Sequence, residues 1–393
     1  MKLLIKLHFV IIAIGLCFLL EIAGCSDKSN LEKVCESGET QQCNCPDGSI
    51  GTQSCKDDNS GWNDCECDSD SNSSSDSDSY DNTDKNWIVP PTGQNKCYNN
   101  TSEITCPDKT GSSSCAKTDF CGQDTQYSTK RTFTVTTVNG KNMVKDSATE
   151  LIWAQEFESG KTWQQAINYC YDLNYGGHTN WRLPSPTELT TITNLDAYDP
   201  AIDTTAFPDV SINWFWSSLP SAHPYAWYVC FDLGSVDSYV KDYSNGARCV
   251  RGRPLKIGSF EPLVISSDRV VKDLGTGLMW QGCAAGQSKE DCLETATNMN
   301  WKDALSYCEG LTWADHDDWR LPNAHELQSI INYKECQSID KTAFPNTPEA
   351  WFWSSSSYVN LASYAWGVEF ANGGVTLHIK TNNNLTRCVR SGP

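Results

Sequence analysis

The sequence predicts an α+β fold arranged as two tandem domains, and three observations lead to this prediction. From about residue 131 to the end, the sequence is written twice. In each copy, apolar residues first recur at helical spacing and later alternate as they do in half-buried strands. Helices that precede strands within one unit indicate helices packed beside an antiparallel sheet.

The first 25 residues have the features of an export signal. Lysines precede an apolar run from Phe9 to Leu20, which is shorter than the roughly 20 residues that a spanning helix needs and suits a signal peptide. The run leads into Ile-Ala-Gly-Cys, which ends at Cys25 and resembles the bacterial lipobox. We expect residues 1–25 to be a lipoprotein signal peptide and an acylated Cys25 to attach the mature chain to the membrane. Because Ser26 rather than aspartate follows Cys25, the outer membrane or the cell surface is favoured.

A small disulfide-rich module is predicted for residues 26–67. Six cysteines lie between Cys35 and Cys67, and so short a segment cannot bury a sufficient core without cross-links. Zinc is the alternative, but the spacing lacks two Cys-x2-Cys pairs. The density of 20 cysteines in 393 residues is also typical of disulfides in an oxidising compartment.

Residues 68–84 are predicted to be a disordered acidic linker. Asp and Ser dominate the segment, which has no aliphatic and no positively charged side chain, so burial cannot offset the entropy of ordering. Residues 26–84 hold 15 acidic and three basic residues, so most of the formal net charge of −19 belongs to this stalk. An acidic chain repels phosphate backbones, and nucleic-acid binding is therefore not expected.

A lead-in, residues 85–130, precedes the repeat and contains a second group of four cysteines. It is expected to cap the domain that follows. Copy 1 is assigned to residues 131–253 and copy 2 to residues 258–393. Two copies of about 120 residues indicate two domains rather than a solenoid, whose repeats typically have 20 to 50 residues.

The first predicted helix of each copy follows a tryptophan, Trp163 in copy 1 and Trp301 in copy 2. Apolar residues three or four positions apart place one stripe of each helix against a core. Later in each copy, Trp-x-Val-x-Phe has the period of a strand with one buried face, and a closing strand ends in Arg-Cys-Val-Arg.

A second helix is predicted in each copy from a capping box. Ser185 and Glu188 form this pattern in copy 1, and Asn323 and Glu326 form it in copy 2. Arg182 and Arg320 precede these caps within Trp-Arg-Leu-Pro. A structural role is expected for both arginines, either bonding carbonyl groups or pairing with an acid such as these glutamates.

Two cysteine positions recur in both copies, one in the first helix and one in the last strand. We therefore predict one disulfide across each copy, between Cys170 and Cys249 and between Cys308 and Cys388. Each bond would close nearly a whole domain.

The remaining cysteines of the repeated region do not match between the copies. Cys283 and Cys292 lie in an insertion specific to copy 2 and are expected to pair with each other. Cys230 and Cys336 are then left over, and parity suggests that they bridge the copies.

Most tryptophans match between the copies and lie among apolar neighbours, which favours a role in the core over a ligand platform. Trp313 is unmatched and precedes a polar stretch, so it is the candidate for an exposed ligand contact. His316, Asp317, Asp318 and His325 are a metal-like group in copy 2. Copy 1 does not repeat this group, and no metal site is expected.

Several motifs occur in both copies in the same order: Leu-Ile-Trp or Leu-Met-Trp, Trp-Arg-Leu-Pro with Glu-Leu, Phe-Trp-Ser-Ser and Arg-Cys-Val-Arg. This set resembles the Legionella collagen-like protein C-terminal domain family over residues 131–393. The resemblance implies a C-type-lectin-like fold in each copy. The founding member of the family binds sulfated glycosaminoglycans, but the excess of acidic residues in residues 85–393 argues against that ligand here.

No nucleophile motif, phosphate loop or zinc signature is present in the sequence, so an enzyme is the least expected function and no cofactor is expected. The sequence predicts an exported, lipid-anchored protein whose tandem lectin-like domains bind an extracellular glycan or protein in adhesion or recognition. The alternative is a structural or accessory lipoprotein of a cell-envelope assembly without a soluble ligand.

Overall fold

The computed structural model of the chain describes residues 40–44, 50–54, 86–109, 115–129, 131–209, 214–222, 224–288, 290–334 and 338–392. The predicted signal peptide with Cys25, the predicted linker and most of the cysteine module lie outside the described residues. Two strands of that module, β1 Thr40–Asn44 and β2 Ile50–Ser54, are described and pair antiparallel. Within the described ranges, no helix is long and apolar enough to cross a membrane.

The lead-in forms two short paired strands and one turn of 3-10 helix. These elements are β3 Cys97–Tyr98, β4 Glu103–Ile104 and the 3-10 helix Asp124–Gln126. Two disulfides close the lead-in, Cys97–Cys106 and Cys115–Cys121.

Copy 1 consists mostly of strands, with two helices among its described residues. In chain order its elements are β5 Phe133–Val138, β6 Lys141–Asp146, β7 Ile152–Ala154, β8 Glu158–Lys161, α1 Trp163–Tyr171, α2 Pro186–Thr191, β9 Trp214–Pro220, β10 Tyr225–Cys230, β11 Ser235–Val240, β12 Asn245–Ala247 and β13 Val250–Arg251.

Among its described residues, copy 2 has the same order without counterparts of β8 and β12, and its two helices have the same lengths as α1 and α2. Its elements are β14 Phe260–Ile265, β15 Asp268–Asp273, β16 Leu278–Gln281, α3 Trp301–Glu309, α4 Ala324–Ser329, β17 Trp351–Ser357, β18 Tyr364–Glu369, β19 Val375–Ile379 and β20 Val389–Ser391. The predicted α+β class is confirmed in this sense: sheets dominate, and few helices accompany them.

Each copy has its own four-stranded sheet, and the two copies share a third sheet. The separate sheets have the orders β13-β7-β6-β5 and β14-β15-β16-β20, so the last strand of each copy pairs near its start. The shared sheet has eight strands in the order β17-β18-β19-β11-β10-β9-β12-β8. The copies meet in it where Val236 of β11 pairs with Val375 of β19.

The largest apolar cluster is also common to both copies, whereas each copy has a smaller cluster of its own. One cluster of buried residues contains Leu189 and Val229 from copy 1 together with Leu327 and Val368 from copy 2. The rings of Trp227 in copy 1 and Tyr333 in copy 2 approach to 5.0 Å between centroids. The two repeats are therefore two halves of one packed body.

Both predicted capping boxes are present. Ser185 Oγ accepts a hydrogen bond from the backbone N of Glu188 at 3.2 Å, and Asn323 Oδ1 accepts one from the backbone N of Glu326 at 2.8 Å. Each glutamate bonds back to the backbone N of its cap residue, so α2 and α4 begin where the sequence predicts.

The lead-in contacts both copies rather than only the domain that follows it. In copy 1, the backbone N of Leu195 donates to Thr92 O at 2.7 Å. In copy 2, Gln94 Nε2 donates to Ser357 O. The lead-in thus joins the copies as well as covering them.

His325 lies in the buried contact between the copies. Its Nδ1 donates to Pro90 O at 3.1 Å, and its Nε2 lies 2.8 Å from the Thr193 hydroxyl of copy 1. Burial lowers the pKa of His325 to about 4, well below the usual value near 6.5.

We expect acid to destabilise the protein through His325. Between pH 6.5 and 4 the unfolded chain binds a proton that the folded protein does not, so the free energy of unfolding falls by about 3 kcal/mol over this window. Urea unfolding at the two pH values checks this prediction, with His325→Gln as the variant that cannot titrate. An equal fall in wild type and His325→Gln would contradict it.

Candidate functional site

The predicted disulfides are present in the structure. Cys170 bonds Cys249 in copy 1, and Cys308 bonds Cys388 in copy 2, so α1 and α3 are each tied to the last strands of their copy. The local bond within the insertion of copy 2, Cys283–Cys292, is present as well. The bridge suggested between Cys230 and Cys336 stays a prediction, because Cys336 lies outside the described residues.

The two arginines of the repeated Trp-Arg-Leu-Pro motif pair with the cap glutamates, as predicted. Arg182 donates through both terminal nitrogens to Glu188, each at 2.6 Å. Arg320 does the same to Glu326 at 2.7 and 2.6 Å. Each pair fixes the start of the second helix against the Leu-Pro segment, which is a structural role.

The interpretation of Trp313 as an exposed ligand contact is wrong. Only 8% of Trp313 is exposed, and its indole Nε1 donates to Arg269 O at 2.8 Å. The residue packs in a core cluster of copy 2 with Trp319 and Met279. Its place corresponds to that of Tyr175 in copy 1, which is also buried and forms the same bridge to a histidine three positions on.

The metal-like group of copy 2 is divided among different tasks. His325 bonds Pro90 and Thr193 in the buried contact described above, whereas Asp318 pairs with Arg390 Nε at 2.6 Å. Among the described residues, no group of three or more His, Cys, Asp or Glu could hold a metal ion.

An aromatic cluster on the outer side of copy 1 is the best candidate for a binding surface. Trp214 stacks on Tyr228, with 5.1 Å between centroids and 23° between planes. The rings of Tyr239 and Tyr243 lie 5.9 and 6.0 Å from Trp214 and 4.8 Å from each other. Tyr228 is buried under the cluster, whereas 45% of Tyr243 is exposed.

Local structure explains this arrangement. Trp214, Tyr228 and Tyr239 lie on the three neighbouring strands β9, β10 and β11, and the turn after β11 returns Tyr243 toward them. Cross-strand aromatic pairs stabilise a sheet, and a partly exposed phenol adds a hydrogen-bonding tip to an apolar face. The cluster is thus a rigid, preformed surface.

Copy 2 has the tryptophan of this cluster but not its tyrosines. Trp351 takes the place of Trp214 and packs against His378 at 4.5 Å, whereas Gly367 and Asn382 stand where copy 1 has Tyr228 and Tyr243. Comparing tyrosines between the copies shows from sequence that these tyrosines are specific to copy 1, but not that they lie together. The comparison of tryptophans led to Trp313 instead.

These features define the class of protein to which the chain belongs. The chain consists of two disulfide-closed α+β repeats that share one sheet and one core, and one repeat carries an exposed aromatic surface. A family model described as the Lcl C-terminal domain matches residues 142–251 and 269–390. The chain therefore belongs to the Lcl C-terminal domain family and contains two tandem copies of the domain. None of the curated proteins matches it.

Proposed function

We propose that this chain is an exported binding protein of the bacterial cell envelope that recognises a neutral extracellular glycan through the aromatic cluster of copy 1. The exposed ring of Tyr243, held on Trp214 and Tyr239, is the observation that carries the proposal. One face of a pyranose ring is formed by C–H groups, and covering that face with an aromatic ring removes apolar surface from water.

The charge of the chain favours a neutral ligand. Residues 85–393 have more acidic than basic side chains, and a sulfated chain would need a basic surface. Tyrosine hydroxyls both donate and accept hydrogen bonds, which suits sugar hydroxyl groups. The C-type-lectin-like fold that the family resemblance implies, in which the ends of the domain carry recognition loops, is part of this proposal.

We expect Tyr243→Ala to weaken glycan binding about tenfold, because an aromatic contact contributes roughly 1.5 kcal/mol beyond its buried area. The measurement is a glycan array with residues 26–393, followed by calorimetric titration of the strongest neutral glycan. Asn382→Ala, at the matching position of copy 2, is the control and should bind as the wild type does.

Two results would contradict the glycan proposal. One is an array without binding by the wild type, which would favour the accessory lipoprotein without a soluble ligand. The other is unchanged affinity in Tyr243→Ala. Binding should also persist in chelator, since the cluster contains no metal-ligating group of its own.

The anchor is the second part of the proposal, and it rests on the lipobox-like tetrapeptide that ends at Cys25. Cys25→Ser should move the protein from the membrane fraction of its host to the soluble fraction, because one or more acyl chains supply the membrane affinity. A soluble wild-type protein with an unmodified mature N-terminus would contradict the anchor while leaving the glycan site untouched.

A further inference from the structure

The outer face of α3 in copy 2 is covered by the lead-in. The Phe120 ring lies 6.3 Å from the ring of Trp301, which is fully buried. Lys380 Nζ lies 3.9 Å from the Trp301 ring centroid and donates to Asn99 O of the lead-in at 3.2 Å. Burial under the lead-in lowers the pKa of Lys380 to about 7.

Polar contacts hold the lead-in on this face. Tyr127 of the lead-in donates to Glu309 Oε1 at 2.5 Å, near the end of α3. Three further hydrogen bonds join β17 to the lead-in. Ser356 Oγ donates to Asp124 Oδ2 at 2.6 Å, and the backbone N of Ser357 donates to Gln94 Oε1 at 3.1 Å. Gln94 Nε2 in turn donates to Ser357 O.

The equivalent face of copy 1 has the same lysine and tryptophan pair. Lys241 takes the place of Lys380, and its Nζ lies 4.5 Å from the ring centroid of Trp163. The backbone N of Trp163 donates to Lys241 O at 2.9 Å, just as that of Trp301 donates to Lys380 O at 3.0 Å. The contact between ammonium and indole is therefore repeated in copy 1, together with the backbone hydrogen bond that joins the two residues.

Within the described part of the chain, this face of copy 1 has no cover comparable to the lead-in. Trp163 and Lys241 are half-buried, whereas their counterparts in copy 2 are buried. Tyr171 at the end of α1 is 47% exposed, whereas Glu309 at the matching position is 7% exposed.

The polar residues that hold the lead-in on copy 2 are apolar or aromatic in copy 1. Tyr171, Leu219 and Pro220 stand in place of Glu309, Ser356 and Ser357. Pro220 has no backbone N–H to repeat the bond that Ser357 makes to Gln94. The face of copy 1 therefore suits a more apolar segment than the lead-in.

We propose that this face of copy 1 is a docking surface for a polypeptide segment of a partner protein. Its surface residues are Trp163, Ile167, Tyr171, Leu219, Pro220 and Lys241. The segment is extended or closed into a loop, packs an aromatic side chain against Trp163, and places a main-chain carbonyl oxygen at Lys241. Phe120 and Asn99 make these two contacts on copy 2, so the chain itself shows the chemistry that fits.

The test selects peptide partners on the mature chain, residues 26–393. A library of disulfide-closed random peptides is panned on the wild type, and the selected peptides are titrated against variants. Tyr171→Glu introduces the residue that copy 2 has, and Lys241→Gln removes the ammonium. Both positions are at least partly exposed, and circular dichroism confirms that each variant is folded.

We expect selected peptides to be enriched in aromatic residues and to bind Tyr171→Glu and Lys241→Gln at least tenfold more weakly than the wild type. Leu293→Glu, at a 70% exposed apolar residue of copy 2, and Tyr243→Ala in the aromatic cluster should bind them as the wild type does. Loss in Tyr243→Ala but not in Tyr171→Glu would overturn the proposal, because the peptides would then occupy the candidate glycan surface.

Three further results would also overturn the proposal. The first is a library that yields no specific peptide, and the second is a set of peptides that bind Tyr171→Glu and Lys241→Gln as tightly as the wild type. The third is a wild-type chain that sediments as a dimer whose contact depends on Tyr171. The last result would identify a second copy of this chain as the occupant. Glycan binding does not enter this test, so failure of one proposal leaves the other standing.

Discussion

Removing the Cys308–Cys388 disulfide is expected to lower the free energy of unfolding by about 4.5 kcal/mol. The bond joins residues 80 positions apart, and closing so long a loop removes much of the conformational freedom of the unfolded chain. The double variant Cys308→Ala/Cys388→Ala, unfolded in guanidinium chloride, measures the effect. Alanine at both positions avoids a free thiol that could pair elsewhere.

The matched control for this experiment is the short disulfide of copy 2. Cys283 and Cys292 are nine positions apart and equally buried, so their removal should cost about 2.5 kcal/mol in the same model of loop entropy. Because the packing defects are similar, the difference between the two double variants reports the loop length. Equal losses would show that packing rather than chain closure sets the stability.

Glu326→Ala is expected to lower the free energy of unfolding by about 3 to 5 kcal/mol, because it leaves the guanidinium of Arg320 buried without its partner. Arg320 is 8% exposed and donates two hydrogen bonds to this carboxylate. The same carboxylate accepts from the backbone N of Asn323, so the capping box of α4 loses this reciprocal bond as well. Urea unfolding at neutral pH measures the loss.

Replacing both partners separates the cost of an unpaired charge from the contribution of the pair. Arg320→Met/Glu326→Leu should be more stable than Glu326→Ala, since apolar side chains of similar volume leave no charge to bury. Glu188→Ala should repeat the single-variant loss in copy 1. A loss below about 1 kcal/mol in either single variant would mean that water solvates the remaining arginine.

Short-range features and pairings implied by the repeat could be predicted from the sequence. The caps at Ser185 and Asn323 depend on residues three positions apart, and local geometry decides them. The long disulfides could be predicted because a bond common to both copies must use positions common to both. Each of these inferences depends either on residues close together in the sequence or on positions that match between the two copies.

The relation between the copies could not be predicted in the same way. Alternation of apolar residues identifies a strand but not the strand beside it, so the pairing of Val236 with Val375 left no sequence signal. The burial of Trp313 depends on packing against residues such as Trp319 and Met279, which the spacing of apolar residues around Trp313 does not indicate. The aromatic cluster was missed because its members come from separate strands and a turn.

The shared core also determines the order in which the chain can fold. Trp153, in an early strand of copy 1, belongs to the same buried cluster as Phe370 and Val389, which come near the end of the chain. A chain that emerges from its N-terminus, on the ribosome or through an export channel, has to hold copy 1 partly open until copy 2 has followed. Such high contact order predicts folding in milliseconds to seconds or more slowly, with exposed strand edges meanwhile. Premature release of a truncated chain would thus leave the copy 1 residues of this cluster without the copy 2 residues that pack against them.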